Sequence, residues 1–549
     1  MLIMKIGVGQ INAQVGAFDL NIAKIVQAAR NLKKRGADIA VFAECAVSGY
    51  PIRDFAKYKS FVLAAENALM AAVKDFELPV LVGCPRLGKD GHVYNSAFFI
   101  RNNKVELVYD KRLLPNYGAL NDPRVFESGN ECAYIDFNGK KIAITICEDI
   151  WTLDEVKTAY RYSKHPLDEI EDCDLLINIS ASVFSQTNDN VRHCNGMLYN
   201  ISKKINAPVL WCNLVGATDE IIFAGASTYI DANKNASVCL KKFGEDELVV
   251  DTNAITGFNS NNSDFSGVAD IYSAIVMAIG DFVKKCGAKS VLLGLSGGID
   301  SAVVAALAAD ALGSENVRGV ALPSKFSSTG SVEDAQALAK NLGIKFDIVA
   351  IKEVVSSAEN ALANLFKGLP RDTTEENLQS RTRALLLMAL SNKFSSLLLT
   401  TGNKSECAVG YCTLYGDTCG AYAPICDVYK CDVYALARYI NILHGKEIIP
   451  QNTITKPPSA ELRPDQKDSD SLPEYEVLDA ILRLRIENFM SANEIMEKGY
   501  KKEVVLDVLN KLAKTQGKRS QYPLGPKLTS TAFLTDRKIP VSARGFFDE

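Results

Sequence analysis

Apolar and polar positions follow two periods along the first half of the chain. Short β-branched and apolar segments recur at Lys5–Gln10, Asp38–Ala43, Pro79–Gly83, Ser96–Arg101, Lys104–Tyr109, Lys141–Ile146, Leu175–Ser180 and Pro208–Asn213, and each predicts a strand. Between the first two, Ile22, Ile25, Val26, Ala29 and Leu32 fall at helical spacing within Asn21–Arg35, and a second helix is expected near Ser60–Phe76. Many strands with few but regular helices point to an α/β layered sandwich. In the second half the order is helix Val268–Cys286, strand Ser290–Leu295, helix Ser301–Leu312, strand Val317–Leu322, helix Val332–Leu342 and strand Lys345–Ala350. That alternation predicts a doubly wound parallel sheet. Only Gly257–Gly267, rich in Asn and Ser, lacks periodicity between the halves, so the expected organisation is a domain at 1–256, a linker at 257–267 and a domain at 268–549. Thr453–Tyr475 and Lys514–Lys527, rich in Pro, Gly and charge, read as mobile loops.

Composition narrows the function classes. The 549 residues are 47% apolar and 23% charged, with a formal net charge of −4. Such an acidic balance argues against non-specific binding of nucleic acid, and no apolar run reaches the about 18 residues of a membrane span. The N-terminus shows no basic region, apolar stretch and cleavage site in order, so a cytoplasmic protein is expected. Fourteen cysteines in so long a chain do not form a disulfide framework pattern. Cys407, Cys412, Cys419, Cys426 and Cys431 are separated by four, six, six and four residues, unlike the paired spacing of zinc knuckles, and are expected to hold no metal.

Candidate chemistry appears first where strand Ser290–Leu295 breaks into Gly297-Gly298-Ile-Asp300-Ser301 and enters an Ala-rich helix. Glycines at such a turn let backbone N–H groups approach a phosphate, and the helix N-terminus favours the anion. A Walker A loop needs Lys before its final hydroxyl residue, and here Asp300 stands there. A carboxylate beside phosphates requires a divalent cation between them, so Mg²⁺ is implied. The string Ser296-Gly-Gly-Ile-Asp-Ser301 resembles the pyrophosphate loop of the N-type ATP pyrophosphatases, which cleave ATP between its α- and β-phosphates to make an adenylate. Asn377-Leu-Gln-Ser-Arg-Thr-Arg383, Thr400-Thr-Gly-Asn-Lys-Ser-Glu406, Gly416-Asp417, Lys430, Pro458-Ser-Ala-Glu-Leu462 and Lys518-Arg519-Ser-Gln-Tyr-Pro523 resemble NAD synthetases within that group. By that resemblance Gly294, Leu295, Ser296, Gly297, Gly298, Ile299, Asp300, Ser301 and Thr401 hold ATP. Asn377, Glu406 and Lys518 contact deamido-NAD, and Asp300 with Glu406 binds Mg²⁺.

The first half supplies a second set. Glu44, Lys111 and Cys147 each stand at or just beyond the C-terminal end of an expected strand, where side chains converge on clefts. A carboxylate can deprotonate a thiol, and an ammonium can stabilise the anion on an attacked amide oxygen. Glu44-Cys-Ala-Val-Ser-Gly-Tyr-Pro51, Lys111-Arg-Leu-Leu-Pro-Asn-Tyr117 and Cys147-Glu-Asp-Ile-Trp151 resemble the Glu-Lys-Cys motifs of the nitrilase superfamily, which implies an α-β-β-α sandwich and a thioester on Cys147. Tyr117, Ser182 and Arg192 match glutamine-contacting positions, while Asn188 stands where related amidotransferases carry Lys. Over the full chain the order of units resembles the glutamine-dependent NAD synthetases, implying glutamine, ATP and deamido-NAD as substrates; a homo-oligomer is also expected. The alternative is an amidase fused to another adenylating enzyme, such as one that modifies tRNA.

Overall fold

The computed structural model describes residues 4–151, 162, 165–185, 196–255, 257, 267–463 and 466–543. Two compact units divide the chain, Met1–Gly267 and Val268–Glu549. Among the described residues, no helix is long and apolar enough to cross a membrane.

Fourteen strands are described in the first unit: β1 Lys5–Gln10, β2 Ile39–Phe42, β3 Val80–Leu87, β4 Val93–Arg101, β5 Lys104–Asp110, β6 Ala133–Phe137, β7 Lys140–Ile146, β8 Leu175–Ser180, β9 Val209–Asn213, β10 Val215–Thr218, β11 Ile221–Ala224, β12 Thr228–Asp231, β13 Ala236–Cys239 and β14 Asp246–Asp251. They form two six-stranded sheets, ordered β14-β1-β2-β3-β4-β5 and β13-β12-β9-β8-β7-β6, and a separate hairpin β10-β11. Each large sheet has a parallel centre, β1-β2-β3 in one and β7-β8-β9 in the other, with antiparallel strands outside it.

Side-chain alternation explains the layers. Leu175, Ile177 and Ile179 of β8 enter the core between the sheets, together with Ile6 and Val8 of β1 and Ile39 and Val41 of β2. Leu176 of β8 faces the other way, packing with Val209, Trp211 and the helix Met197–Ile205. On the far face of the first sheet, Val80 and Val82 meet Ile25, Val26 and Leu32 of the helix Phe18–Lys34. Strands buried on both faces read as nearly continuous apolar runs, and each fully buried aliphatic side chain contributes about 1.5–3 kcal/mol. The result is the α-β-β-α sandwich expected for this half.

In the second unit β15 Val291–Gly294, β16 Val317–Ala321, β17 Lys345–Ile348 and β18 Leu397–Leu398 make an all-parallel sheet ordered β17-β16-β15-β18. The chain runs outward from β15 to β17 and then returns to its other side, so the order reverses between β15 and β18. This is the expected doubly wound arrangement, and ligands bind outside the carboxyl ends of strands at such a reversal.

Two expected loops are corrected. Within Lys514–Lys527, Gln516–Arg519 is helical, and Gln516, Arg519 and Lys527 are buried. Thr453–Tyr475 overlaps the helix Gln451–Thr455, with Thr453 and Ile454 buried, and contains a 3-10 turn at Asp468–Asp470. Charged composition suggested open chain, but these charges find partners inside the fold: Lys527 Nζ lies 2.7 Å from Asp536 Oδ2.

Candidate functional sites

In the first unit Glu44 and Cys147 stand just after the parallel strands β2 and β7, and Lys111 just after β5, which pairs antiparallel with β4. Glu44 lies two residues beyond β2, and the neighbouring chain at Gly83 of β3 must come very close. A Cβ on Gly83 would stand 2.3 Å from Cys45 N and 2.6 Å from Glu44 Cα, so only glycine fits. Glu44 is fully buried and its carboxylate is held from three sides. Oε1 accepts from Lys111 Nζ at 2.8 Å and from Asn95 Nδ2 at 2.7 Å, while Oε2 accepts from the backbone N–H of Ala181 at 2.6 Å.

Lys111, just past β5, has a second partner. Its ammonium donates to Asp122 Oδ2 at 2.8 Å, and Asp122 also accepts from Tyr50 Oη at 2.6 Å. Burial favours the neutral amine, but Asp122 and Glu44 outweigh it and hold the Lys111 pKa well above its ordinary value. Lys111 is therefore a fixed cation.

Cys147 begins a 3-10 turn directly after β7 with a φ of 45°, a left-handed conformation that costs a non-glycine residue about 1 kcal/mol and is common at functional turns. Asp149 fixes this turn against the Lys111 segment. It accepts from the backbone N–H groups of Ile146 (2.9 Å), Arg112 (3.0 Å) and Leu113 (2.7 Å), and from Tyr109 Oη at 2.8 Å.

Beside Cys147, Glu148 is buried and accepts from Tyr117 Oη at 2.9 Å and from Tyr162 Oη at 2.8 Å. Burial pushes its carboxyl up to about 7, with the two phenols pulling the other way. Ser182 follows β8, one residue after the N–H that holds Glu44, and its own N–H donates to Asn213 Oδ1 at 2.9 Å. Arg192 and Asn188 lie outside the described residues. Thus Glu44, Lys111 and Cys147 are joined by Asp122, Glu148 and Asn95, which the sequence reading did not single out. Glu148 stood within the Cys147 motif, whereas Asp122 sits in an Asn-Asp-Pro stretch that reads as a turn.

In the second unit, the loops after β15 and β18 flank the reversal of strand order. The Ser296–Ser301 loop turns at Gly297, whose φ is 78°, and a Cβ there would meet Ser331 O at 2.2 Å. Ser301 Oγ donates to Gly298 O at 3.0 Å and lies 3.2 Å from Ser296 Oγ, while Ser296 Oγ accepts from Gly298 N at 3.1 Å. The helix Ile299–Leu312 starts at extended Gly298 with no side-chain cap, two residues earlier than expected, so Asp300 and Ser301 belong to its first turn. The N-terminal end of a helix favours an anion, as suits a phosphate.

From the other loop come Thr401, half-buried, and Glu406 in the short helix Lys404–Val409. Asp300 and Glu406 meet on one cation: Lys430 Nζ donates to Asp300 Oδ2 and, at 3.1 Å, to Glu406 Oε1. Burial raises the Glu406 carboxyl, and the Lys430 ammonium opposes that rise. Glu461 of the Pro458–Leu462 segment accepts from Ser328 Oγ at 2.9 Å and Ser331 Oγ at 2.7 Å, beside the Ser296–Ser301 loop.

Asn377 and Lys518 converge on a neighbouring stretch. Thr413 Oγ1 donates to Asn377 Oδ1 at 2.8 Å, and Lys518 Nζ donates to the carbonyls of Gly410 (2.8 Å) and Cys412 (2.6 Å).

Comparison with known proteins gives the family of each unit. Residues 5–252 match the carbon-nitrogen hydrolase family and residues 271–522 match the NAD synthase family. The chain is 39% identical to the glutamine-dependent NAD(+) synthetase of Acinetobacter baylyi, with 98% of each chain covered. It is 38% identical to that of Thermotoga maritima, over 98% of this chain and 99% of the other. The solved structure of the glutamine-dependent NAD+ synthetase of Acinetobacter baumannii, in complex with ADP, superposes with a TM-score of 0.76 at 36% identity, covering 98% of both chains. Full-length similarity at this level, with a family match in each unit, makes this chain a member of the glutamine-dependent NAD(+) synthetase family.

Proposed function

We propose that the protein amidates deamido-NAD to NAD, using ATP to activate the carboxylate and glutamine as the nitrogen source. It is a ligase that forms a carbon–nitrogen bond. The observation that carries this reading is the presence on one chain of a buried Glu44–Lys111 pair beside Cys147 and a phosphate loop at a strand-order reversal.

In the first unit Glu44 takes the thiol proton of Cys147 as sulfur attacks the glutamine amide carbon. Lys111 balances the charge developing on the amide oxygen. Collapse breaks the C–N bond, the proton on Glu44 passes to the leaving nitrogen, and ammonia departs from a thioester. Water, deprotonated by the same carboxylate, then releases glutamate and restores the thiol. Glu148, held by Tyr117 and Tyr162, suits the α-ammonium of glutamine, and Ser182 and Arg192 complete the expected contacts.

In the second unit the nicotinate carboxylate attacks the α-phosphorus of ATP held by Gly294–Ser301 and Thr401, giving an adenylate and pyrophosphate. Ammonia attacks the acyl carbon and the C–O bond to AMP breaks; an unactivated carboxylate has no such leaving group. Asn377, Glu406 and Lys518 are the assigned contacts to deamido-NAD. Asp300 and Glu406 are hard oxygen donors already gathered around a cation, and two carboxylates completed by phosphate oxygens are an ordinary Mg²⁺ environment. When bound, Mg²⁺ supplies neutralisation of the polyphosphate charge. Lys430, at the same point, is placed to meet phosphate oxygens.

A cytoplasmic homo-oligomer fits this metabolic role. Purified protein given deamido-NAD, ATP, Mg²⁺ and glutamine should yield one AMP, one pyrophosphate and one glutamate per NAD. ADP as the stoichiometric product would remove the adenylate mechanism.

A further inference from the structure

Asn403 is completely buried and uses its side chain and backbone on both carboxylates of the second site. Its Oδ1 accepts from the Glu406 N–H at 3.0 Å, and its own N–H approaches Glu406 Oε2 at 3.4 Å, closing a reciprocal cap on the helix Lys404–Val409. The side-chain amide nitrogen reaches across to the other strand's loop: Nδ2 donates to Asp300 Oδ1 at 2.9 Å. Lys430 bridges the opposite oxygens, Asp300 Oδ2 and Glu406 Oε1. The four groups therefore form a closed ring in which each carboxylate is held once by Asn403 and once by Lys430.

The two contacts differ in what they can do. An ammonium repelled by an incoming cation can leave, whereas an amide carries no charge and can stay. The amide is also anchored from behind. The adjacent Lys404 is fully buried, with Nζ 2.9 Å from Asp427 Oδ1, 2.6 Å from Thr529 Oγ1 and 2.9 Å from Thr531 O. Asn403 thus sits on a fixed stretch of backbone while touching two carboxylates that come from different loops.

We propose that Asn403 is a positioning residue that sets the spacing and orientation of Asp300 and Glu406 for a divalent cation. The proposal rests on the assignment of those two carboxylates as the metal ligands. Side chains that orient ligands in this way typically govern metal affinity by 10- to 100-fold.

A capping role and a positioning role separate in one substitution. Serine is as good a helix cap as asparagine but lacks the amide donor and is too short to span to Asp300. In the full-length protein, Asn403→Ser should stay folded, with a cooperative thermal transition, and keep glutamine hydrolysis. Mn²⁺ binding in the presence of ATP, followed by the loss of the free-ion paramagnetic resonance signal, should weaken about 10-fold or more. The Mg²⁺ concentration giving half-maximal ammonium-dependent synthesis should rise in parallel. Asn403→Thr, a second capping variant, serves if the serine protein folds poorly. Unchanged Mn²⁺ affinity in a folded Asn403→Ser or Asn403→Thr protein overturns the proposal, provided Asp300→Asn loses binding in the same assay. Wild-type Mn²⁺ binding by Asp300→Asn overturns instead the ligand assignment beneath it, and the proposal with it.

Discussion

Glu148 and Asp122 are acids of opposite character within one pocket. Glu148 has burial working against its charge, so it takes up a proton as pH falls through about 7 in the free protein. Only the carboxylate can pair with the α-ammonium of glutamine. The kcat/KM for glutamine should therefore drop below pH about 7 and level above it, while ammonium-dependent synthesis lacks that limb. Glu148→Gln should lower kcat/KM by roughly 10- to 100-fold and flatten the profile, the loss expected for a charged hydrogen bond. The stability sign is the reverse. A carboxyl raised in the folded state costs stability as pH rises from its unfolded value toward about 7, so Glu148→Gln should unfold no earlier than wild type at pH 8. A wild-type pH profile in this variant would sink the assignment. Asp122 instead compensates a buried ammonium, and its side chain is 5% exposed. Asp122→Ala leaves Lys111 with Glu44 alone and should cost about 3–5 kcal/mol, read from the denaturant midpoint.

At the scale of elements, the phosphate loop depends on one backbone position. Gly297 has a φ of 78° and passes close enough to the helix Thr329–Leu342 that a Cβ would lie 2.2 Å from Ser331 O. Gly297→Ala should displace the loop and abolish NAD synthesis from glutamine and ammonium alike, with glutamate release unchanged. Synthesis at the wild-type rate would mean that this loop does not carry the nucleotide. Which elements were legible in the sequence follows from how each is buried. The strands β1, β2, β7, β8 and β9 are covered on both faces, and their apolar runs stood out. The short β10 to β13 and the edge strand β14, which contains Asp246, Glu247 and Asp251, carry too little pattern to separate from turns. Lys514–Lys527 was misread because burial there is polar: Arg519 Nη1 donates to Ala408 O at 2.6 Å, ending the helix that carries Glu406. Asp122 and Asn403 were invisible as site residues because their roles arise from contacts with Lys111, and with Asp300 more than a hundred residues away.

For the whole molecule, the proposed two-site mechanism predicts that each chemistry can be removed without the other. Cys147 is the only proposed nucleophile toward glutamine, and alanine cannot form the thioester, so Cys147→Ala should lose glutamine-dependent synthesis and glutamate release. The Ser296–Ser301 loop lies in the other unit, Val268–Glu549, so under the proposed mechanism a high concentration of ammonium salt should still be converted. Replacing the thiol by a hydrogen removes one sulfur atom, so the thermal midpoint should hardly move. Asp300→Ala should behave in the opposite way. Losing a carboxylate where polyphosphate charge concentrates removes stabilisation of several kcal/mol, enough to abolish synthesis with either nitrogen source, while glutamine is still hydrolysed. The two variants assayed side by side, for NAD, AMP and glutamate with glutamine and then with ammonium chloride, give four rates. One outcome ends the two-site mechanism: glutamine-dependent synthesis surviving in Cys147→Ala. If Cys147→Ala instead lost both activities with its fold and ATP binding intact, the thiol would be acting in adenylation or amide formation as well, and the division of labour between the units would have to be redrawn.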